Sequence, residues 1–350
     1  MGSFTTPEQF EDAYTTLFKT FDTGKTKSLA WRKWQLKQCW WMIVENEDRI
    51  AKALKADLNR PEFESYAADI RGMKLDILEH IEHFEEWAAD EIPDAGFLFG
   101  TLGRARIRKE PLGVGLIIGA WNFPFIVVFS PLYAAISAGC CAIVKPSDLS
   151  LASQDLIAEL VPKYLDPEAI RVVTGGPQET SRMLERKFNH IFFTGSNKIA
   201  THITAAAAKH LTPVVLELGG QGPAIVTSTA DIDLSAKRIA YSKHINAGQV
   251  CVSTNHTFVH PDVHEKFVER LGYWSDKFSG GPSAEITHII NEKNFDRLNG
   301  LLDKTNGEVV YSGKKERGDK LFGPTVVTGV TTSGKHFLSY INTPNVLTLV

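Results

Sequence analysis

The chain is short of several things, and each shortage closes off a class of protein. It has four cysteines in 350 residues, with neither a C-x-x-C pair nor a framework spacing. That excludes a disulfide scaffold or a structural zinc site and fits a reducing, cytoplasmic compartment. Apolar runs are short as well. None approaches the roughly 18 residues a membrane-spanning helix needs. Met1-Gly2-Ser3-Phe4 opens no secretory leader, since a positive region and an apolar core are both missing. A formal net charge of −3 gives no electrostatic case for nucleic acid or an anionic membrane surface. G-x-G-x-x-G is absent, so the standard dinucleotide fingerprint fails. Internal repeats and low-complexity segments are absent too, and no residue set has metal-ligand spacing.

What remains is ordinary soluble composition, 43% hydrophobic and 23% charged, in a chain long enough for two cores. Residues 1–90 read as helices: Pro7 to Thr20, a long one capped by Ser28 and running to about Asn59, and a third opened by Pro61. Leu102 to Lys109 alternates with arginines outward, as a half-solvated strand does. Strands then alternate with helices. Leu112–Ile118, Cys141–Val144, Ile170–Val173, Ile191–Phe193 and 213–217 are separated by helical stretches. That texture predicts an α/β fold with a doubly wound parallel sheet, whose ligands bind at the carboxyl edge. A second αβ unit follows Gly222-Pro223, with strands at Ala224–Val226, His256–Val259, 308–311 and 325–330. The tail from about Ser333 to Val350 shows no pattern. The expected division is 1–90, helices packed on a cofactor domain; 91–222, a nucleotide-binding domain; 223–332, a partial catalytic domain; and 333–350, a divergent tail.

Two residues carry chemistry. Cys251 ends the stretch Asn246-Ala247-Gly248-Gln249-Val250, where small residues leave backbone N–H groups near the sulfur. Such donors favour the thiolate, which is the nucleophile. A free cysteine is ordinarily a small buried hydrophobe, and Cys39, Cys140 and Cys141 read that way. Glu217 lies in Val214-Val215-Leu216-Glu217-Leu218-Gly219-Gly220. Its plain reading is an edge-strand carboxylate facing water. Apolar neighbours on both sides argue instead for partial burial, which would raise its pKa toward a general base's range. For a nucleotide, Gly195-Ser196 at a helix start offers N–H groups to pyrophosphate. Lys145-Pro146-Ser147-Asp148 adds a cation and an acid suited to ribose hydroxyls.

Trp121-Asn122-Phe123-Pro124, Lys145-Pro146-Ser147-Asp148, Phe193-Thr194-Gly195-Ser196, Leu216-Glu217-Leu218-Gly219-Gly220 and Gly248-Gln249-Val250-Cys251 occur in the order and spacing of aldehyde dehydrogenases. The chain resembles the class 3 branch, the aromatic and fatty aldehyde group, over about residues 5–332. That resemblance implies NAD(P)-dependent oxidation of medium-chain, long-chain or aromatic aldehydes to carboxylic acids, through a thiohemiacetal and a thioester. It assigns Cys251 as nucleophile, Asn122 as oxyanion donor and Glu217 as activator of the hydrolytic water. Cofactor contacts are implied at Trp121, Lys145, Ser147, Asp148, Gly195, Ser196, Leu218 and Gly219. Asp148 stands where the family usually has Glu; an acid there favours NAD over NADP. The family pairs as homodimers through a C-terminal strand. After Leu321-Phe322-Gly323-Pro324-Thr325 the match stops: the expected acidic Glu-x-Phe-Gly-Pro motif, the pairing strand and the apolar anchor of membrane-bound fatty aldehyde enzymes are all missing. The competing reading is therefore an impaired homologue that binds nucleotide without turnover.

Overall fold

The apolar runs Val114–Ile118 and Cys141–Lys145 form strands that are buried on both faces. The computed structural model describes residues 4–280, 285–330 and 346–349. The first sheet holds β1 (Val114–Ile118), β2 (Cys141–Lys145), β3 (Ile170–Val172), β4 (His190–Gly195) and β5 (Val214–Leu218) in the order β3-β2-β1-β4-β5. β1 lies parallel to β2, with Val114 opposite Cys141, and parallel to β4, with Ile118 opposite Phe193. All of β2 is buried and all of β1 but Gly115. Continuous apolar strands of this kind need cover on both sides. Helix Ile126–Ala138 gives part of that cover through Val128, Phe129, Leu132 and Ile136. The order runs from β1 outward to β3 on one side and through β4 to β5 on the other. The reversal makes the carboxyl ends of β1 and β4 a topological switch point, where open α/β sheets bind ligands.

The chain divides into two units: Met1–Ile50 with Tyr66–Glu217, and Ala51–Ser65 with Leu218–Val350. This differs from the expected boundaries. Residues 51–65 cluster with the second unit rather than with the N-terminal helices. The helix expected from Ser28 to about Asn59 is broken into Leu29–Val44 and Glu47–Leu58. Asn46 makes the break, because its side chain donates to the Met42 carbonyl at 3.0 Å while its own carbonyl accepts from Ile50. Leu102–Lys109 is no strand. Gly96–Leu102 winds as a π-helix, and only the rung Glu91–Ile107 forms. Alternation supplied a face there, but no neighbouring strand supplied a ladder.

The second sheet has the order β6-β7-β12-β11-β8, formed by β6 (Pro223–Val226), β7 (His256–Val259), β8 (Glu308–Ser312), β11 (Thr325–Thr328) and β12 (Val346–Leu349). A two-stranded ribbon, β9 (Lys315–Glu316) with β10 (Leu321–Phe322), stands apart. β12 corrects the expectation of a patternless tail. It sits parallel between β7 and β11, and all four of its residues are buried. Leu347 and Leu349 join the core of Val226, Ile239, Phe267 and Leu271, whereas Val346 joins Ile289, Phe295 and Phe322. That split is the two-face alternation of a strand; four residues are too few to show it in sequence. The other tail residues, 333–345 and 350, lie outside the described residues. Among the described residues no helix is long and apolar enough to cross a membrane.

Leu347→Ala is expected to destabilise the second unit by about 2–5 kcal/mol, read as a lowered urea midpoint. The amide of Thr348, which donates to the Asn255 carbonyl at 3.0 Å, should be protected in hydrogen exchange. A shift under about 0.5 kcal/mol, the size of a surface substitution, would remove β12 from the core.

Candidate active site

Cys251 is the one exposed cysteine of the four. Cys39 and Cys141 are fully buried, and burial pushes both thiols up, Cys141 to about 12. Those two stay protonated and inert. Cys140, expected to be buried, is half-buried. The turn that leads to Cys251 is unusual. Asn246 has φ +52°, Ala247 φ +52° and Gly248 φ +68°, three successive left-handed residues. Asparagine tolerates that region and glycine prefers it, but alanine pays a steric cost of roughly 1–2 kcal/mol. Ala247 is 3% exposed and belongs to the core that holds Ile289, Phe295 and Leu298, so burial offsets the strain.

A dense set of polar contacts fixes this turn. Asn246 Oδ1 accepts from Arg60 Nη2 at 2.7 Å, its Nδ2 donates to the Gln249 carbonyl at 3.0 Å, and its backbone N–H donates to the Glu64 carboxylate. Gln249 Nε2 reaches the carbonyls of Asn246 and His288, both at 3.0 Å, while its Oε1 accepts from Ile290 N. On the other side Gly220 N donates to the Cys251 carbonyl at 3.1 Å. A Cβ on Gly220 would stand 2.6 Å from that oxygen, and one on Gly222 2.1 Å from the Ser253 carbonyl. Here the glycines after Glu217 find their purpose: they let one backbone lie against another. Asn255 joins the two, donating from Nδ2 to the Gly220 carbonyl at 3.1 Å and accepting from Lys243 Nζ at 2.7 Å. Lys243 is 3% exposed, and burial lowers its pKa to about 7.

Glu217 corrects the sequence reading. It is exposed, as is Val215, because both point to the same, uncovered face of β5. Apolar neighbours on both sides of a strand residue do not bury it when no further element covers that face. Asn122 and Trp121 are half-buried in the turn after β1. Asn122 and Glu217 belong to the first unit and Cys251 to the second.

The nucleotide candidates gather at the carboxyl edge of the first sheet. Lys145, 4% exposed, ends β2, and its Nζ lies 3.7 Å from Asp148 Oδ1. Burial lowers its pKa, with Asp148 opposing. Ser147 is buried. Past β4, Gly195 is half-buried. The exposed Ser196 caps helix Asn197–Ala208, accepting from Ile199 N at 3.4 Å, and Asn197 and Lys198 are exposed at its first turn. Leu218 is half-buried and Gly219 exposed. A buried cation, a neighbouring acid and an exposed helix N-terminus suit ribose hydroxyls and a pyrophosphate. Among the described residues no cluster of His, Cys, Asp or Glu could hold a metal.

The aldehyde dehydrogenase family model matches residues 3–344. The chain belongs to that family. It is an oxidoreductase of the aldehyde dehydrogenase type. Aldehyde dehydrogenase family 3 member B1 of Rattus norvegicus is 37% identical over 326 residues, 92% of this chain and 69% of the relative. The dimeric NADP-preferring aldehyde dehydrogenase of Rattus norvegicus is 38% identical over 315 residues, 89% of this chain and 69% of the relative. The substrate-bound Staphylococcus aureus AldH superposes with a TM-score of 0.92 at 32% identity, covering 97% of this chain and 75% of that one. Class 3 relatives thus stand where the motifs pointed.

Arg60, Glu64, Lys243 and Asn255 had escaped the sequence reading. Arginine, lysine and glutamate are ordinarily exposed, and nothing local marks these as buried. Lys243 yields a pH prediction. Its folded pKa lies below its ordinary value of 10.5, so between about pH 7 and 10 the unfolded chain holds a proton that the folded chain lacks. Stability therefore rises with pH across that window, and the penalty is fully present below about pH 7. Urea midpoints measured from pH 7 to 10 should show Lys243→Met more stable at the low end, with the gap closing as pH rises. Parallel curves would contradict this.

Proposed function

We propose that this chain oxidises aldehydes to carboxylic acids through a covalent adduct on Cys251. The exposure of this one thiol, on a turn held from both sides, carries the reading. Cys251, its proton lost to solvent, adds to the carbonyl carbon. A C–S bond forms and the electron pair moves to oxygen, where the Asn122 amide donates. Removing one such donor typically slows the step about a hundredfold. A bound nicotinamide dinucleotide would supply the acceptor for the hydride lost as the carbonyl re-forms, leaving a thioester on Cys251. Glu217 then takes a proton from water as its oxygen attacks that thioester. The C–S bond breaks, the acid leaves and the thiolate is restored.

Lys145 and Asp148 are proposed to hold ribose hydroxyls, and Ser196 with the adjoining amides the pyrophosphate. Trp121, Ser147, Gly195, Leu218 and Gly219 complete the contacts. Asp148 would repel a 2′-phosphate, so we assign NAD as the preferred cofactor, although one rat relative is named NADP-preferring. Medium-chain, long-chain and aromatic aldehydes are the proposed substrates, and a homodimer is the assembly to test by sedimentation.

One observation favours a second reading, a homologue that binds nucleotide without turnover: Glu217 is exposed on an edge strand. Dinucleotide reduction with a medium-chain or aromatic aldehyde separates the two. Cys251→Ala should lose about a thousandfold or more in kcat, and Glu217→Gln should keep a first-turnover burst while losing steady-state rate. Equal rates for wild type and Cys251→Ala would remove Cys251 from the mechanism. Calorimetric NAD binding with no turnover would establish the second reading.

A further inference from the structure

Arg60 and Glu64 lie on a segment far from Cys251 in sequence, yet both converge on the turn that carries it. Arg60 is fully buried, as is Asn246, whose Oδ1 accepts from Arg60 Nη2 at 2.7 Å. The Glu64 carboxylate accepts from the Asn246 amide N–H and, at 3.0 Å, from Thr287 Oγ1. A buried arginine needs compensating partners, and this one spends a hydrogen bond on the first of three left-handed residues. Left-handed non-glycine residues persist only where the surroundings over-determine them, and they cluster where strain serves a mechanism.

We propose that Arg60, backed by Glu64, is a positioning residue for Cys251. It locks Asn246 at positive φ, and the locked turn fixes the direction of the thiol five residues on. The inference rests on the reading of Cys251 as nucleophile. Arg60 itself touches no reacting atom. Its effect passes through Asn246, whose Nδ2 donates to the Gln249 carbonyl two residues before the cysteine. A purely structural role would lower the unfolding midpoint and leave the reactivity of the folded thiol alone. A positioning role changes that reactivity in protein that is still folded.

The test compares wild type, Arg60→Met, Arg60→Lys and Asn246→Gly in the full chain. Readouts are the iodoacetamide alkylation rate of Cys251 from pH 6 to 10, located by peptide mass, and kcat and KM with a medium-chain aldehyde. Asn246→Gly removes the partner of Arg60 while keeping positive φ accessible, and it serves as the clean variant if Arg60→Met fails to fold. Arg60→Met and Asn246→Gly should lose about tenfold or more in alkylation rate and kcat, with KM within about twofold, since small misplacements of a reacting group are costly. Arg60→Lys, still able to donate to Asn246, should recover most of the rate. A wild-type alkylation rate in folded Arg60→Met or Asn246→Gly would overturn the proposal. Alkylation reads the thiol directly, so it tests the clasp even if Cys251→Ala proves fully active and the proposed function fails.

Discussion

The second unit depends on one constraint: a backbone turn with three left-handed residues must be held shut in front of an exposed thiol. Its neighbours follow from that need. Asn246 serves because its short amide can bond on both sides and its backbone tolerates αL. Gln249 serves because its longer amide reaches the carbonyls of Asn246 and His288 and the Ile290 amide at once. Gly220 and Gly222 serve because any Cβ would strike a carbonyl of the same turn. Buried polar groups are costly unless they are matched, and here Arg60, Glu64 and the backbone of His288 and Ile290 match them together with the turn's own backbone.

The first unit meets a different demand with simpler means. Its central strands β1 and β2 are largely apolar and its ligand edge is given by topology. At the carboxyl ends of β1, β2 and β4 the chain must turn, and the turns carry Asn122, Lys145 with Asp148, and Ser196. Burial of Lys145 to 4% exposure makes its charge effective over a short range. The helix N-terminus at Ser196 adds partial positive charge without a further side chain. Nucleotide binding needs no glycine fingerprint when a sheet edge offers these groups together.

Much of this was legible in sequence, for physical reasons. Strands buried on both faces announce themselves as unbroken apolar runs, so β1 and β2 fell within two residues of expectation. Motif order placed Cys251, Asn122 and Lys145. What stayed hidden depended on partners distant in sequence. β12 is too short to show a period and becomes a strand only between β7 and β11. Glu217 looked buried because its neighbours along the chain are apolar, but burial is decided by what covers the face a strand residue points to, and Val215 and Glu217 are exposed on theirs. Arg60 and Lys243 carry no local sign of burial, and residues 102–109 had a strand's alternation without a strand's partner.

Everything said of function turns on whether the thiol at position 251 carries the acyl group. Intact and peptide mass spectrometry of Glu217→Gln protein, quenched during reaction with an aldehyde and NAD, measures this directly. The account predicts a thioester adduct of the substrate's acyl mass on the Cys251 peptide. An acid product formed while that peptide stays unmodified, in protein whose Cys251 is open to alkylation, would contradict it.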